Sequence, residues 1–168
     1  MQNLKSIDYK ILFALMKNSK ISDRQLAKEI GVSQPTVTRR RARLEKEVID
    51  GYTAIPKWEK IGYEILAVTL VTSPLSMGTG ETQKESSEKA SKWLEKQPNV
   101  IFAALCRGMG TTGIMFSLHK NYTDLEEFLN NQRLQLGQIM EKVETVIVNL
   151  TGKSVFRPLS LKYLAKAK

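Results

Sequence analysis

Apolar residues recur at helical spacing through the first fifty positions, then switch to strand spacing. Ile7, Ile11, Leu12, Leu15 and Met16 follow the i, i+4, i+5, i+8, i+9 spacing of one helix face, and Asn18-Ser19 ends that segment. Ser22 opens a second helix, with Gln25 three residues on forming a capping box. Leu26 and Ile30 are its inner face, and Gly31 supplies the positive φ of a C-terminal cap. Ser33 is the next N-cap, with Pro35 in a first turn where a missing N–H costs nothing. The third helix runs from about Gln34 to Glu47. Its start follows Gly31 so closely that helices two and three are joined by a tight turn, the helix-turn-helix arrangement.

Beyond Val48 the period changes. Residues 49–55 read as a short strand or wing containing Gly51, and residues 56–60 as a connector. Tyr63 to Thr72 is a β-rich run. Ser73 to Glu88, rich in Ser, Thr, Gly and charge, reads as a mobile loop. Ala90, Trp93, Leu94 and Gln97 form a helical stripe stopped by Pro98. Val100–Leu105 and Ile114–Leu118 read as strands joined by residues 107–113. Thr123 to Glu126 is a capping box that opens a helix with Leu125, Phe128, Leu129, Gln132 and Leu136 on one side, and Val143–Leu150 is a last strand. The order is β-α-β-β-α-β, the ferredoxin-like pattern. The expected class is α+β. Its parts are a helix-turn-helix domain (1–53), a linker (54–62), a βαββαβ domain (63–152) and a C-terminal extension (153–168).

Charge sharpens this picture. The 168 residues contain 26 Lys plus Arg and 17 Asp plus Glu, a net of +9. Residues 1–53 carry +5, residues 54–152 carry −1, and residues 153–168 carry +5 with no acid. A positive surplus held at the two ends implies a polyanionic partner. The hydrophobic fraction of 42% supports a folded core. No apolar run approaches the roughly 18 residues of a membrane span. The longest, Ile65–Val71, is strand-sized. Cys106 is the only cysteine and His119 the only histidine, which excludes an intrachain disulfide and a thiolate zinc site. A reducing cytoplasm is the expected compartment, with no cofactor and no membrane partner. His119 reads as a strand-end edge residue, and Cys106 and Trp93 as core residues.

The third helix carries the chemistry. It offers Arg39, Arg40, Arg41 and Arg43 with Ser33, Gln34, Thr36 and Thr38 near its start. A recognition helix enters the major groove with its N-terminal half. Gln34 suits adenine, Thr36 and Thr38 suit a thymine methyl or a phosphate, and arginine pairs bidentately with guanine or phosphate. The expected DNA-binding set is Ser33, Gln34, Thr36, Thr38, Arg39, Arg40 and Arg43. With Val37 and Leu44 inward, Arg40 and Arg41 flank the buried edge, Arg41 laying its stem over the core and its head toward phosphates. The alternative is a solvated charged face.

The runs Ile7–Leu12, Asp23–Ser33, Arg43–Glu47 and Ile49–Ala54, the last with its Gly51-Tyr52-Thr53-Ala54 step, resemble the Lrp/AsnC family of leucine-responsive, feast/famine transcription regulators. The resemblance is close over about sixty residues and continues in the β-α-β-β-α-β order of the family's ligand-sensing RAM domain. It implies a cytoplasmic DNA-binding regulator that dimerises through its C-terminal sheets, often reaches octamers, and takes small effectors at contacts between dimers. Gln34 to Arg43 would be the recognition segment.

Three positions depart from the family pattern. The usual glycine after the third helix is replaced by Glu47 running into Val48, so that helix must end without a left-handed residue. Arg41 stands where a hydrophobic residue is usual. Amino-acid-binding members carry a Gly-Asp-Tyr-Asp-like turn, whereas here Gly108 is followed by Met109, Gly110, Thr111 and Thr112, without acids to fix an α-amino group. Gly108 to Thr112 are the candidate effector-binding residues, through backbone groups. A plain hairpin is the alternative, and amino-acid sensing is not expected. An architectural, weakly specific DNA binder is the competing function. An enzyme like the family's siroheme decarboxylases is disfavoured by the single histidine. The lysines of the extension are expected outward, its apolar residues packed on its own subunit or a neighbour.

Overall fold

The computed structural model describes residues 4–74 and 81–166. Its contacts divide into two units: residues 1–55 with 157–168, and residues 56–156.

The first unit contains α1 (Ser6–Lys17), α2 (Asp23–Ile30) and α3 (Gln34–Glu47). Ser22 caps α2 in a reciprocal box with Gln25, and Gly31 ends it at φ +81°, as their residue types require. Ile11, Leu15, Ile21, Leu26, Ala27, Val37 and Leu44 form the core. Full burial of such a Leu, Ile or Val contributes about 1.5–3 kcal/mol. The α3 helix ends on Val48 at φ −133°, not on a left-handed residue. The N–H groups of Val48 and Ile49 both donate to the Leu44 carbonyl at 2.8 Å. The short strand expected at 49–55 is absent: residues 49–57 carry no ladder pairing. Tyr52 instead anchors this segment, its hydroxyl donating to Glu45 at 2.8 Å.

The second unit opens with a 3₁₀ turn (Trp58–Ile61) and contains β1 (Ile65–Thr72), α4 (Glu81–Leu94), β2 (Val100–Gly108), β3 (Thr111–His119), α5 (Tyr122–Leu136) and β4 (Lys142–Asn149). Sheet order is β2-β3-β1-β4, all antiparallel. Period-2 alternation gives this sheet two faces. Ala67, Thr69, Met115, Ser117 and His119 point one way and are buried, and Trp93, Met115, Phe128 and Leu136 make the core. The Trp93 indole N–H donates to Asn131 Oδ1 at 2.9 Å. On the other face, register aligns Phe102, Phe116, Val68 and Val146 in one row across all four strands, and Phe102 and Val146 are about half exposed.

Several expectations need correction. Residues 81–88 are the start of α4, not a loop. Glu, Gln and Lys are good helix formers and outweigh the neighbouring serines. Residues 75–80 of that expected loop lie outside the described residues. The N-cap of α5 is Asn121, which accepts from the Asp124 N–H at 2.9 Å, so the cap lies two residues before Thr123. The β2–β3 connection shrinks to Met109-Gly110, because the strands extend to a Gly108–Thr111 pair. Cys106 is half-buried on edge strand β2.

His119 is not an edge residue. It ends central strand β3, has no exposed surface, and stacks on Phe128 of α5 at 5.0 Å between centroids. Its Nε2 shares a hydrogen bond with Ser117 Oγ at 2.9 Å. Nδ1 lies 3.6 Å from the Asp124 carboxylate, too far for a hydrogen bond, and has no hydrogen-bond partner among the described residues.

The extension returns to the first unit. Residues 161–166 form a 3₁₀ turn against α1, with Ala165 buried and Leu161 and Leu164 exposed. Among the described residues no helix is long and apolar enough to cross a membrane.

Candidate nucleic-acid interface

At 100° per residue, Val37 and Leu44 set the inward direction of α3, and both are fully buried. The opposite strip then runs through Pro35, Arg39, Ala42 and Lys46. Arg43 and Thr36 border one side of it and Thr38 the other, with Gln34 beyond Thr38 toward the buried side. Ser33 precedes the helix as N-cap and makes no side-chain bond to the helix backbone. Its hydroxyl is paired with the Thr36 hydroxyl at 2.8 Å. Gln34 is exposed.

Internal ion pairs separate the four arginines into different roles. Asp8 of α1 is fully buried. Burial by itself would raise its pKa, but the Lys5 backbone N–H, Arg40 and Arg43 hold the carboxyl below its ordinary value. Arg40 Nη1 donates to Asp8 Oδ1 at 2.8 Å, Arg43 Nη2 to Oδ2 at 3.0 Å, and the Lys5 N–H to Oδ2 at 2.9 Å. Arg40 is only 20% exposed, and its Nε is buried without a hydrogen-bond partner among the described residues. Arg43 remains 43% exposed. The same carboxylate thus ties α3 to α1 and leaves Arg43 partly available to a ligand.

Arg41 does not extend its head toward solvent as the sequence suggested. Its guanidinium donates to Glu45 at 2.9 Å, Asp23 at 3.1 Å and the Ile21 carbonyl at 3.0 Å. The Glu45 bond above all raises its pKa, against the cost of burial. Arg41 in turn holds the Glu45 carboxyl below its usual range, with help from Tyr52. An arginine in the usually hydrophobic position acts here as a staple between α2, α3 and the segment after α3. Asp23 also accepts from the Thr38 hydroxyl at 2.6 Å, so Thr38 is exposed with its hydroxyl already engaged.

Arg39 and Lys46 are the exposed cations of the strip with no ion pair or hydrogen bond among the described residues. Lys46 was absent from the expected set. Its seven-residue separation from Arg39 is the signal that would have found it.

The second candidate region is the β2–β3 turn. Met109 and Gly110 both have positive φ, +53° and +73°, the backbone of a tight type I′ hairpin. Its hydroxyls are used internally: Thr111 donates to the Gly108 carbonyl at 2.6 Å, Thr112 donates to the Val71 carbonyl at 3.2 Å, and the Ser73 N–H donates to Thr112 at 2.9 Å. The turn brings Gly108 to Thr112 together as a closed hairpin whose side chains leave little free hydrogen-bonding capacity.

A winged helix-turn-helix DNA-binding family matches residues 4–47, the segment that presents the cationic strip. An uncharacterised HTH-type transcriptional regulator of Pyrococcus abyssi is 42% identical over 155 residues, covering 92% of this chain and 97% of that protein. The HTH-type transcriptional regulator FL11 of Pyrococcus furiosus is 34% identical, covering 86% and 89%. The leucine-responsive regulatory protein of Rhizobium meliloti is 38% identical over 69 residues, 40% of this chain and 44% of that protein. The chain belongs to the Lrp/AsnC family of transcription regulators.

Membership agrees with the whole fold. Escherichia coli AsnC superposes with TM-score 0.72 at 21% identity, over 94% of this chain and 99% of that one. A Neisseria meningitidis transcriptional regulator solved in complex with L-Met superposes with TM-score 0.78 at 18% identity, over 95% and 96%. This Lrp/AsnC protein is a DNA-binding transcription regulator, with the α+β architecture expected of it. Relative to the family pattern, α3 differs in the Arg41 staple and in its end on Val48.

Proposed function

We propose that α3 lies in the major groove of duplex DNA, with Arg39 and Lys46 on phosphates and the exposed side of Arg43 beside them. Ser33, Gln34 and Thr36 at the N-terminal end face base edges or the adjacent backbone. Thr38 and Arg40 belong to this surface as positioning residues, holding α3 to Asp23 and Asp8. One observation carries the reading: the outward strip of α3 has exposed cations with no ion pair or hydrogen bond among the described residues, while its neighbours are tied to other helices by ion pairs. Neutralising phosphates releases counterions, so affinity falls with salt.

The DNA-bound form in this proposal is a homodimer closed over the open sheet face. The row Phe102, Phe116, Val68 and Val146 supports it, because a two-fold interface needs one self-complementary apolar patch. The family resemblance also implies octamers; for this chain the dimer is the unit proposed. Effector control through the β2–β3 turn is not favoured, because the hydroxyls of Thr111 and Thr112 are engaged within the chain.

Selecting bound duplexes from a random pool tests the reading. The expected product is a palindrome with half-sites about one helical turn apart. Affinity for it should exceed affinity for random duplex by at least about 10³. A smaller ratio with no enriched motif would make the protein an architectural DNA binder.

A further inference from the structure

The chain leaves the DNA-binding unit at Ile55 and comes back to it at Arg157. Both of its basic ends therefore belong to one unit. Returning residues 161–166 lie along α1, with Ala165 at 5% exposure. Ala165 shares a recess with Phe13, Ala14 and Lys17 of α1 and with Ile21 and Ile30.

Helical geometry says which side of α1 this is. Asp8, Ile11 and Leu15 are the buried side, and Asp8 holds Arg40 and Arg43 of α3. At 100° per residue, Phe13 and Lys17 point roughly 160° away from that direction and Ala14 about 95°. The helix is thus clasped between α3 on one side and the C-terminal segment on another. Ala14 also packs on the three-helix core, and Phe13 would otherwise present its apolar ring to water on this side. Arg157 and Lys162 meanwhile stack on Tyr163, at 4.6 Å and 5.3 Å from its ring centre, so two charges of the tail are folded onto the tail itself.

We propose that residues 157–166 are a strap that completes the DNA-binding unit from behind. The strap supports α1, α1 holds Arg40 and Arg43 through Asp8, and those pairs hold α3. The charges of Arg157 and Lys162 are then not phosphate contacts. The sheet unit is joined to the DNA-binding unit by two covalent routes, the 54–62 linker and the strand β4 that runs into the strap.

Hydrogen exchange on full-length protein without DNA tests this directly, so the outcome does not depend on which α3 residues touch DNA. The variants are a chain ending at Phe156 and the point substitution Ala165→Glu. Both should speed exchange of α1 amides by at least about tenfold, with β1 and β3 unchanged. Affinity for DNA should fall while its salt slope stays the same. Unaltered α1 exchange in Ala165→Glu would overturn the strap. So would a salt slope reduced by two or more in the shortened chain, which would make the tail a phosphate contact. Should wild-type α1 protection fall on dilution to monomer, the strap would belong to a second copy and the own-chain assignment would be wrong.

Discussion

Asp8 shows how one residue can govern an interface it never touches. It is fully buried and accepts from two arginines of α3. Removing its charge leaves Arg40 and Arg43 facing an uncompensated site. Because both guanidinium groups still reach water, the cost is below that of a fully buried pair. Asp8→Asn should lower stability by about 2 kcal/mol in urea unfolding and weaken DNA binding in proportion to the loss of α3 order. Unchanged stability would mean that the pairs contribute nothing net. His119 makes a separate prediction. Burial lowers its pKa, against an opposing pull from Asp124, so the unfolded chain takes up a proton before the folded one does. Its contribution is therefore level above the ordinary histidine pKa, about 6.5. Stability is lost as pH falls below that value, by up to about 1.4 kcal/mol per pH unit. His119→Phe should flatten this part of the stability profile between pH 7 and 5, and an unchanged profile would show that another group is responsible.

Elements were legible where a local signal decided them. Ser22, Gln25 and Gly31 carry capping chemistry that needs no tertiary partner, and α2 begins and ends on them. Long-range pairing was less legible. His119 at the end of an apolar run looked like an edge residue because sequence does not reveal that β3 is central and that Phe128 covers it. The start of α4 was hidden by serines whose effect is weaker than that of their charged neighbours. On α3 the arginines were visible but their partners were not. Asp8 and Asp23 lie on other helices, so which guanidinium is free depended on the packing of three helices. The β2–β3 hairpin belongs at this scale too. With its hydroxyls spent inside the chain, common amino acids at millimolar concentration should not raise the melting temperature. A clear rise with any of them, abolished by Thr112→Val, would identify the turn as an effector site after all.

At the scale of the molecule, charge and apolar surface are assigned to different tasks. The middle of the chain is nearly neutral while its ends carry +5 each, and contacts gather those ends into one unit. The nearly neutral sheet unit can associate without strong self-repulsion. Its open-face row is the proposed contact, so Val146→Glu should shift the protein to monomer in analytical ultracentrifugation and weaken binding to a two-half-site duplex more than to a single half-site. A dimer that survives this substitution would place the contact elsewhere. The salt dependence of DNA affinity tests the central claim most directly, comparing wild type with the Arg39→Ala, Lys46→Ala double variant. Each lost phosphate contact should lower the slope of log K against log salt by about 0.9, so the double variant should lose nearly two per DNA-bound helix. A slope identical to wild type would contradict the assignment of α3's outward strip to the DNA backbone.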